Sequence, residues 1–109
     1  MMTPTQERMT NYISIRPETQ SGQPCIGNTR IPVEVIVRAW WYTSMSEDAI
    51  CNNWGITPQT LRIACWYWGC YRRRTKIGHA WTDWAERNEG LMWLSEYEMV
   101  SLPSRQADA

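Results

Sequence analysis

The order of apolar and polar positions predicts a mainly α-helical chain with a short β-hairpin at its start. Apolar and polar residues alternate from Tyr12 to Ile15, which is typical of a strand, and residues 24–26 can return beside it as a second strand. Farther along, apolar residues recur every three to four positions, which is the spacing of one helical face. We therefore expect a helix over residues 32–42, a short helix between Ser46 and Gly55, a third that starts at Pro58, and a fourth over 77–88.

Local signals mark where the two middle helices begin and end. Ser46 and Thr57 can each cap a helix N-terminus, because a side-chain hydroxyl accepts a hydrogen bond from a free backbone N–H group there. Pro58 suits a first helical position, and Gly55 suits the end of the preceding helix. Two helices joined by so short a glycine-containing turn, after a buried first helix, predict a helix-turn-helix.

The predicted elements divide the chain into one folded unit with loose ends. Residues 1–11 are expected to form a flexible arm, and residues 12–76 a hairpin plus helix-turn-helix domain. Residues 77–100 are expected to add an amphipathic helix that ends at Gly90 and a short strand, since positions 93–99 alternate. Residues 101–109 are expected to be a disordered tail. A chain of 109 residues has room for a single core.

Charge is distributed unevenly although the net charge is zero. Residues 30–76 carry seven basic and three acidic side chains, whereas residues 77–109 carry two basic and six acidic ones. The middle of the chain can therefore attract an anion, and the end repels one. No apolar run reaches the roughly 18 residues of a membrane span, and the start lacks the pattern of a secretory signal, so we expect a cytoplasmic protein without membrane contact.

The third helix and the residues that follow it carry side chains of the types that hydrogen-bond DNA bases and contact phosphates. Its inner face is predicted to hold Leu61, Ala64, Cys65 and Trp68, and its outer face Gln and Arg donors that can bond base edges in a major groove. Four cations follow within residues 72–76, enough to contact phosphates. The candidate DNA-binding residues are Gln59, Thr60, Arg62, Ile63, Trp66, Arg72, Arg73, Arg74 and Lys76.

The outer face of the third helix is nevertheless more apolar than a solvated face should be. Ile63, Trp66, Tyr67 and Cys70 lie on it, so we expect either a protein partner or the chain's own C-terminal segment to cover part of it. A two-stranded hairpin is also marginal alone and must pack on something, or on a second copy of itself. The candidate dimer or partner contacts are Tyr12, Ile13, Ile15, Cys25, Ile26, Trp81 and Trp84.

The sequence contains no recognisable catalytic or metal-binding motif. The four cysteines are not arranged in Cys-x-x-Cys pairs, so we expect reduced thiols that serve as small apolar residues. His79 has no nucleophile motif or phosphate-binding glycine loop beside it and is expected to be a surface residue. We therefore expect neither an enzyme nor a cofactor or metal protein.

Three segments resemble a small bacterial domain long catalogued only as a domain of unknown function. Residues 22–33 read GQPCIGNTRIPV, close to that domain's G-x-P-x-I-x-G-T-R-I-P-V signature, and residues 45–50 (MSEDAI) and 56–62 (ITPQTLR) resemble its two following helices. One departure is Asn28, and the segment from Ile77 onward lies outside the motif. Members of the domain occur as VapB-type antitoxins beside PIN-like ribonuclease toxins. The resemblance implies a homeodomain-like helix-turn-helix that is dimeric through its hairpin and binds operator DNA and a toxin.

Three functions remain open from the sequence. The first is a DNA-binding regulator of antitoxin type, which binds double-stranded operator DNA as a homodimer and neutralises a PIN-like toxin. The second is a protein-interaction module without significant DNA binding, in which the apolar outer face and the acidic C-terminal helix hold a target. The third is a phage-type excision or recombination accessory factor, which suits a small arginine-rich helix-turn-helix protein but has no motif of its own.

Overall fold

A short antiparallel hairpin and four helices make up the part of the chain that the computed structural model describes, residues 11–94 and 100–106. The strands are β1 (Ile13–Ile15) and β2 (Pro24–Ile26). The helices are α1 (Val33–Tyr42), α2 (Glu47–Trp54), α3 (Pro58–Tyr71) and α4 (Lys76–Leu94). The predicted hairpin and the predicted mainly helical architecture are thus confirmed. No helix of the described residues is long and apolar enough to cross a membrane.

The hairpin pairs its strands in one register, with Ile13 opposite Ile26 and Ile15 opposite Pro24. The loop between the two strands contains one turn of 3-10 helix, Gln20–Gly22, in which all three residues have positive φ. The following tight turn uses Gly27, at φ +50°, rather than Asn28 as its left-handed residue. Glycine adopts this conformation without steric cost, so Asn28 is free to take an ordinary backbone.

The predicted caps of α2 and α3 are present. The Ser46 hydroxyl accepts from the Ala49 N–H at 3.1 Å, and the Thr57 hydroxyl accepts from the Thr60 N–H at 3.2 Å. Gly55 ends α2 in the left-handed conformation at φ +67°, with its N–H bonded to the Cys51 carbonyl. Each contact satisfies a backbone group that a helix end leaves open, and together they fix the turn between the two helices.

Helix α3 is buried on two sides, against α1 and against α4. The predicted inner residues lie in the core, and so do several on the opposite side; the buried residues of α3 are Leu61, Ile63, Ala64, Cys65, Trp66, Tyr67, Trp68 and Gly69. Gly69 allows the second contact, because a Cβ atom there would lie 2.9 Å from both the Ala85 side chain and the Trp81 carbonyl oxygen. Helix α4 is therefore part of the same core.

Helix α4 is longer than the sequence pattern predicts. It continues through Gly90 to Leu94, so the expected end at Gly90 is wrong, and residues 93–94 are helical rather than part of a strand. Gly90 has open space around it, and glycine is tolerated inside a helix at a modest cost in stability. The rest of the predicted strand, residues 95–99, lies outside the described residues.

Residues 101–105 form an extended strap over the tryptophans of α1 and α4. The indole N–H groups of Trp40, Trp81 and Trp84 donate to the carbonyls of Pro103, Ser104 and Ser101 at 2.9, 2.9 and 3.1 Å. The Arg105 guanidinium lies 3.8 Å from the Trp40 ring centroid. The expectation of a disordered tail from residue 101 is therefore wrong for this stretch, because its carbonyls accept hydrogen bonds from three indole N–H groups.

Replacing Gly78 by Ala tests the tight connection between α3 and α4. A Cβ atom at Gly78 would lie 1.9 Å from the Arg72 carbonyl oxygen, which is backbone and cannot move aside, so we expect Gly78→Ala to destabilise the fold by about 1–3 kcal/mol or more. Gly90→Ala makes the same substitution in the same helix, at a position where the new Cβ atom would have no neighbouring atom within 4 Å. We expect it to raise the free energy of unfolding by about 0.5–1 kcal/mol. Urea unfolding measures both changes, and equal effects would contradict the packing described here.

Candidate nucleic-acid interface

The first turn of α3 places Gln59 and Thr60 partly in solvent. Thr57 and Thr60 are tied together, since their hydroxyl oxygens lie 2.9 Å apart and the Thr60 N–H donates to the Thr57 hydroxyl. Gln59 keeps an amide that can both donate and accept, which is the chemistry that reads adenine edges. This turn is therefore the part of α3 where side chains able to hydrogen-bond a base edge remain accessible.

Arg62 is held in the interface between α2 and α3 rather than free on the surface. Its Nε and Nη2 atoms donate to Glu47 Oε1 at 3.0 and 2.8 Å, and Nη2 donates to Glu47 Oε2 at 2.9 Å. The Arg62 side chain is only 13% exposed. A guanidinium bound by both carboxylate oxygens positions α2 against α3, and a DNA contact would have to break that pair.

Two predicted DNA contacts are wrong. Ile63 and Trp66 are both 0% exposed, so neither side chain can reach a nucleic acid. Helix α4 packs along α3 and approaches it closely at Gly69, on the side that the sequence predicts to be covered by a protein partner or by the chain's own C-terminal segment. Of the two covers left open above, the chain's own C-terminal segment is the one present. The nearly continuous apolar run of residues 63–70 is the signal that this side is also buried.

The turn between α3 and α4, residues 72–76, gathers four cations with different surroundings. Arg72 is half-buried and packs its guanidinium 5.7 Å from the Trp68 ring centroid. Arg73 pairs with Glu86 of α4 at 2.9 Å, with both side chains 53% exposed. Arg74 and Lys76 are exposed, and neither forms an ion pair with a carboxylate of the described residues. We call residues 72–76 the basic turn.

The Arg72 guanidinium also acts on the phenol of Tyr67. Burial raises the pKa of Tyr67, and the positive charge and hydrogen bond of Arg72 oppose that rise. Arg72 thus interacts with both Tyr67 and Trp68 in the last turns of α3. The Arg72 side chain is therefore engaged in contacts within the chain. Arg74 and Lys76 are exposed and are the cations most available to a phosphate.

The predicted partner contacts are mostly inside the chain. Ile13, Cys25 and Ile26 are 3%, 1% and 5% exposed, and Trp81 is 2% exposed with its ring edge-on to Trp41. Their assignment as dimer or partner contacts is therefore wrong, because the hairpin packs its apolar face on the helices of its own chain. Tyr12 and Trp84 are partly buried. Ile15 of β1, at 58% exposed, is the member of the set with the most surface to offer a partner.

The thiols are packing groups. All four cysteines are unpaired, and Cys25, Cys51 and Cys65 are buried, as expected for small apolar residues. Burial raises the pKa of Cys65 far above its ordinary value, and burial together with the Glu89 carboxylate raises the pKa of Cys70 to about 11. Thiols held protonated are poor nucleophiles and poor metal ligands. The described residues contain no group of three or more His, Cys, Asp or Glu side chains that could hold a metal ion.

Similarity to known proteins is confined to the hairpin and the first three helices. Neither a curated protein nor a solved structure shows significant similarity to the chain. Residues 13–67, which run from the start of β1 into α3, match the DUF433 family, described as a protein of unknown function. The matched region includes the first turn of α3 and ends before the basic turn, and it spans half of the chain. The chain therefore belongs to the DUF433 family.

Proposed function

We propose that the protein is a DNA-binding regulator of antitoxin type, with α1–α3 as a homeodomain-like helix-turn-helix. The observation that carries the proposal is the basic turn, where Arg74 and Lys76 stand exposed and unpaired among the described residues. Unneutralised cations close together attract a polyanion and release its counterions on binding. The ligand we propose is double-stranded DNA.

The length of α3 suits this role. From Gln59 to Arg72 the helix rises about 20 Å, since each residue adds about 1.5 Å. A B-DNA major groove is about 12 Å wide, so the first turn of α3 can face base edges while the basic turn reaches a flanking phosphate. The corrected candidate set consists of Gln59 and Thr60 for the bases and Arg74 and Lys76, with Arg73 beside them, for the backbone.

The acidic outer side of α4 restricts how DNA can approach. Asp83, Glu86 and Glu89 are exposed on this helix, and carboxylates repel phosphates at close range. Glu86 also neutralises Arg73. The duplex is therefore expected to reach the first turn of α3 and the basic turn without lying against the acidic side of α4. The protein-interaction alternative keeps the exposed acidic side of α4 but has less apolar surface to use, because Ile63, Trp66 and Tyr67 are buried within the chain.

The salt dependence of duplex binding tests the DNA role. Each phosphate contact adds about 0.9 to the magnitude of the slope of log affinity against log salt, so Arg74→Ala/Lys76→Ala should lower that magnitude by about two. Arg38→Ala/Arg87→Ala is the matched control, because it removes the same charge from exposed positions outside the basic turn. Fluorescence anisotropy with a labelled duplex measures both slopes. Equal loss in the two double variants, or no duplex binding by the unmutated protein, would contradict the proposal.

The toxin half of the proposal rests on the signature resemblance of residues 22–33 and the two following segments. We expect a PIN-like ribonuclease to co-purify with the protein from its native host in a fixed ratio, and mass spectrometry of the eluted complex would identify it. Recovery of the protein without a nuclease would remove the antitoxin role and leave the DNA-binding role standing.

A further inference from the structure

Tyr71, the last residue of α3, carries an aromatic ring that is half exposed and held in place. The residue is 53% exposed. Its ring meets the Trp66 ring edge-on, with centroids 5.9 Å apart and planes at 85°, and lies tilted against Tyr67 at 5.1 Å and 35°. Trp66 and Tyr67 are both buried, so they form a fixed support for the ring. A ring positioned in this way loses little conformational freedom when a ligand covers it.

The chemistry around Tyr71 favours an anionic ligand on one side only. Arg74 and Lys76 follow it closely in the chain and are exposed. Burial raises the pKa of Tyr71, with Cys70 and the Glu89 carboxylate adding to the rise. The Glu89 carboxylate disfavours a negatively charged group on its own side of the ring, whereas the exposed Arg74 and Lys76 attract one.

We infer that Tyr71 is a stacking platform for an unpaired nucleobase, with the phosphates of the same strand held by Arg74 and Lys76. The ligand class is single-stranded DNA. A supported aromatic ring that exposed cations follow within five residues offers the combination that binds single strands, because every base has a face to stack and every nucleotide a phosphate. A duplex offers such faces only at its ends. The inference rests on the proposed function and deepens it, since it adds an unpaired strand to the duplex as a form of DNA that the same basic turn binds.

Tyr42 is a second exposed tyrosine, and its ring has different surroundings from that of Tyr71. Its exposed fraction, 48%, is similar to that of Tyr71. The Arg38 guanidinium, however, lies 5.7 Å from the Tyr42 ring centroid. Arg38 is itself paired with Glu34 at 2.8 Å. The ring therefore already has a partner, and the cation beside it is neutralised. Tyr42 is accordingly the matched control for Tyr71.

The test compares two forms of DNA against the intact protein. The probes are a labelled single strand of mixed sequence and the duplex of that strand with its complement, measured by fluorescence anisotropy. Tyr71→Leu keeps an apolar side chain in place but removes the aromatic face, and it should weaken single-strand binding about 5- to 150-fold. Duplex affinity should change by less than about twofold. Tyr71→Phe should retain single-strand binding, and Tyr42→Leu should leave both affinities unchanged.

Several results would overturn the inference, and they can be told apart from failure of the proposed function. Binding of the duplex without binding of the single strand would overturn the inference alone. So would wild-type single-strand affinity in Tyr71→Leu, or an equal loss on both probes, since an equal loss indicates a structural change. Failure to bind either probe would overturn the proposed function and the inference with it.

Discussion

The close contact between α3 and α4 is the constraint on which the rest of the structure depends. Gly69 and Gly78 remove the side chains that would separate the two helices, and the Thr82 hydroxyl donates to the carbonyls of Gly78 and Gly69 at 2.9 and 3.3 Å. Once α4 is seated, the large residues on that side of α3 are buried. The apolar surface that they remove from water favours the docked arrangement. Helix α4 in turn presents two of the indoles that hold the C-terminal strap.

This packing determines which part of α3 can carry function. A helix covered on two sides offers little of its middle to a ligand, so the accessible surface of α3 lies mainly at its first turn and at its last residue. Arg62 and Arg73 are paired within the chain, while Arg74 and Lys76 form no ion pair with a carboxylate of the described residues. The proposed chemistry is therefore concentrated at the two ends of the helix, with Gln59 at one and Tyr71 with the basic turn at the other.

The sequence predicted what local chemistry decides. Ser46, Gly55 and Thr57 act through backbone groups a few residues away, so their roles could be read from spacing alone. The element that covers Ile63 and Trp66 could not be read in this way, because the apolar run of residues 63–70 indicates burial but does not say which element lies on each side. The strap was missed for a related reason. Its carbonyls accept from indoles distant in the chain, and no local pattern records such a contact.

Amide hydrogen exchange of the intact protein, followed by mass spectrometry, tests the docking of α4 most directly. Because the two helices share one core, we expect residues 63–70 of α3 and 78–85 of α4 to open together and to be protected as strongly as α1. Rapid exchange throughout α4 while α1 and α3 stay protected would show that α4 is not seated on α3. That result would contradict the account, because the outer side of α3 would then be open to a ligand.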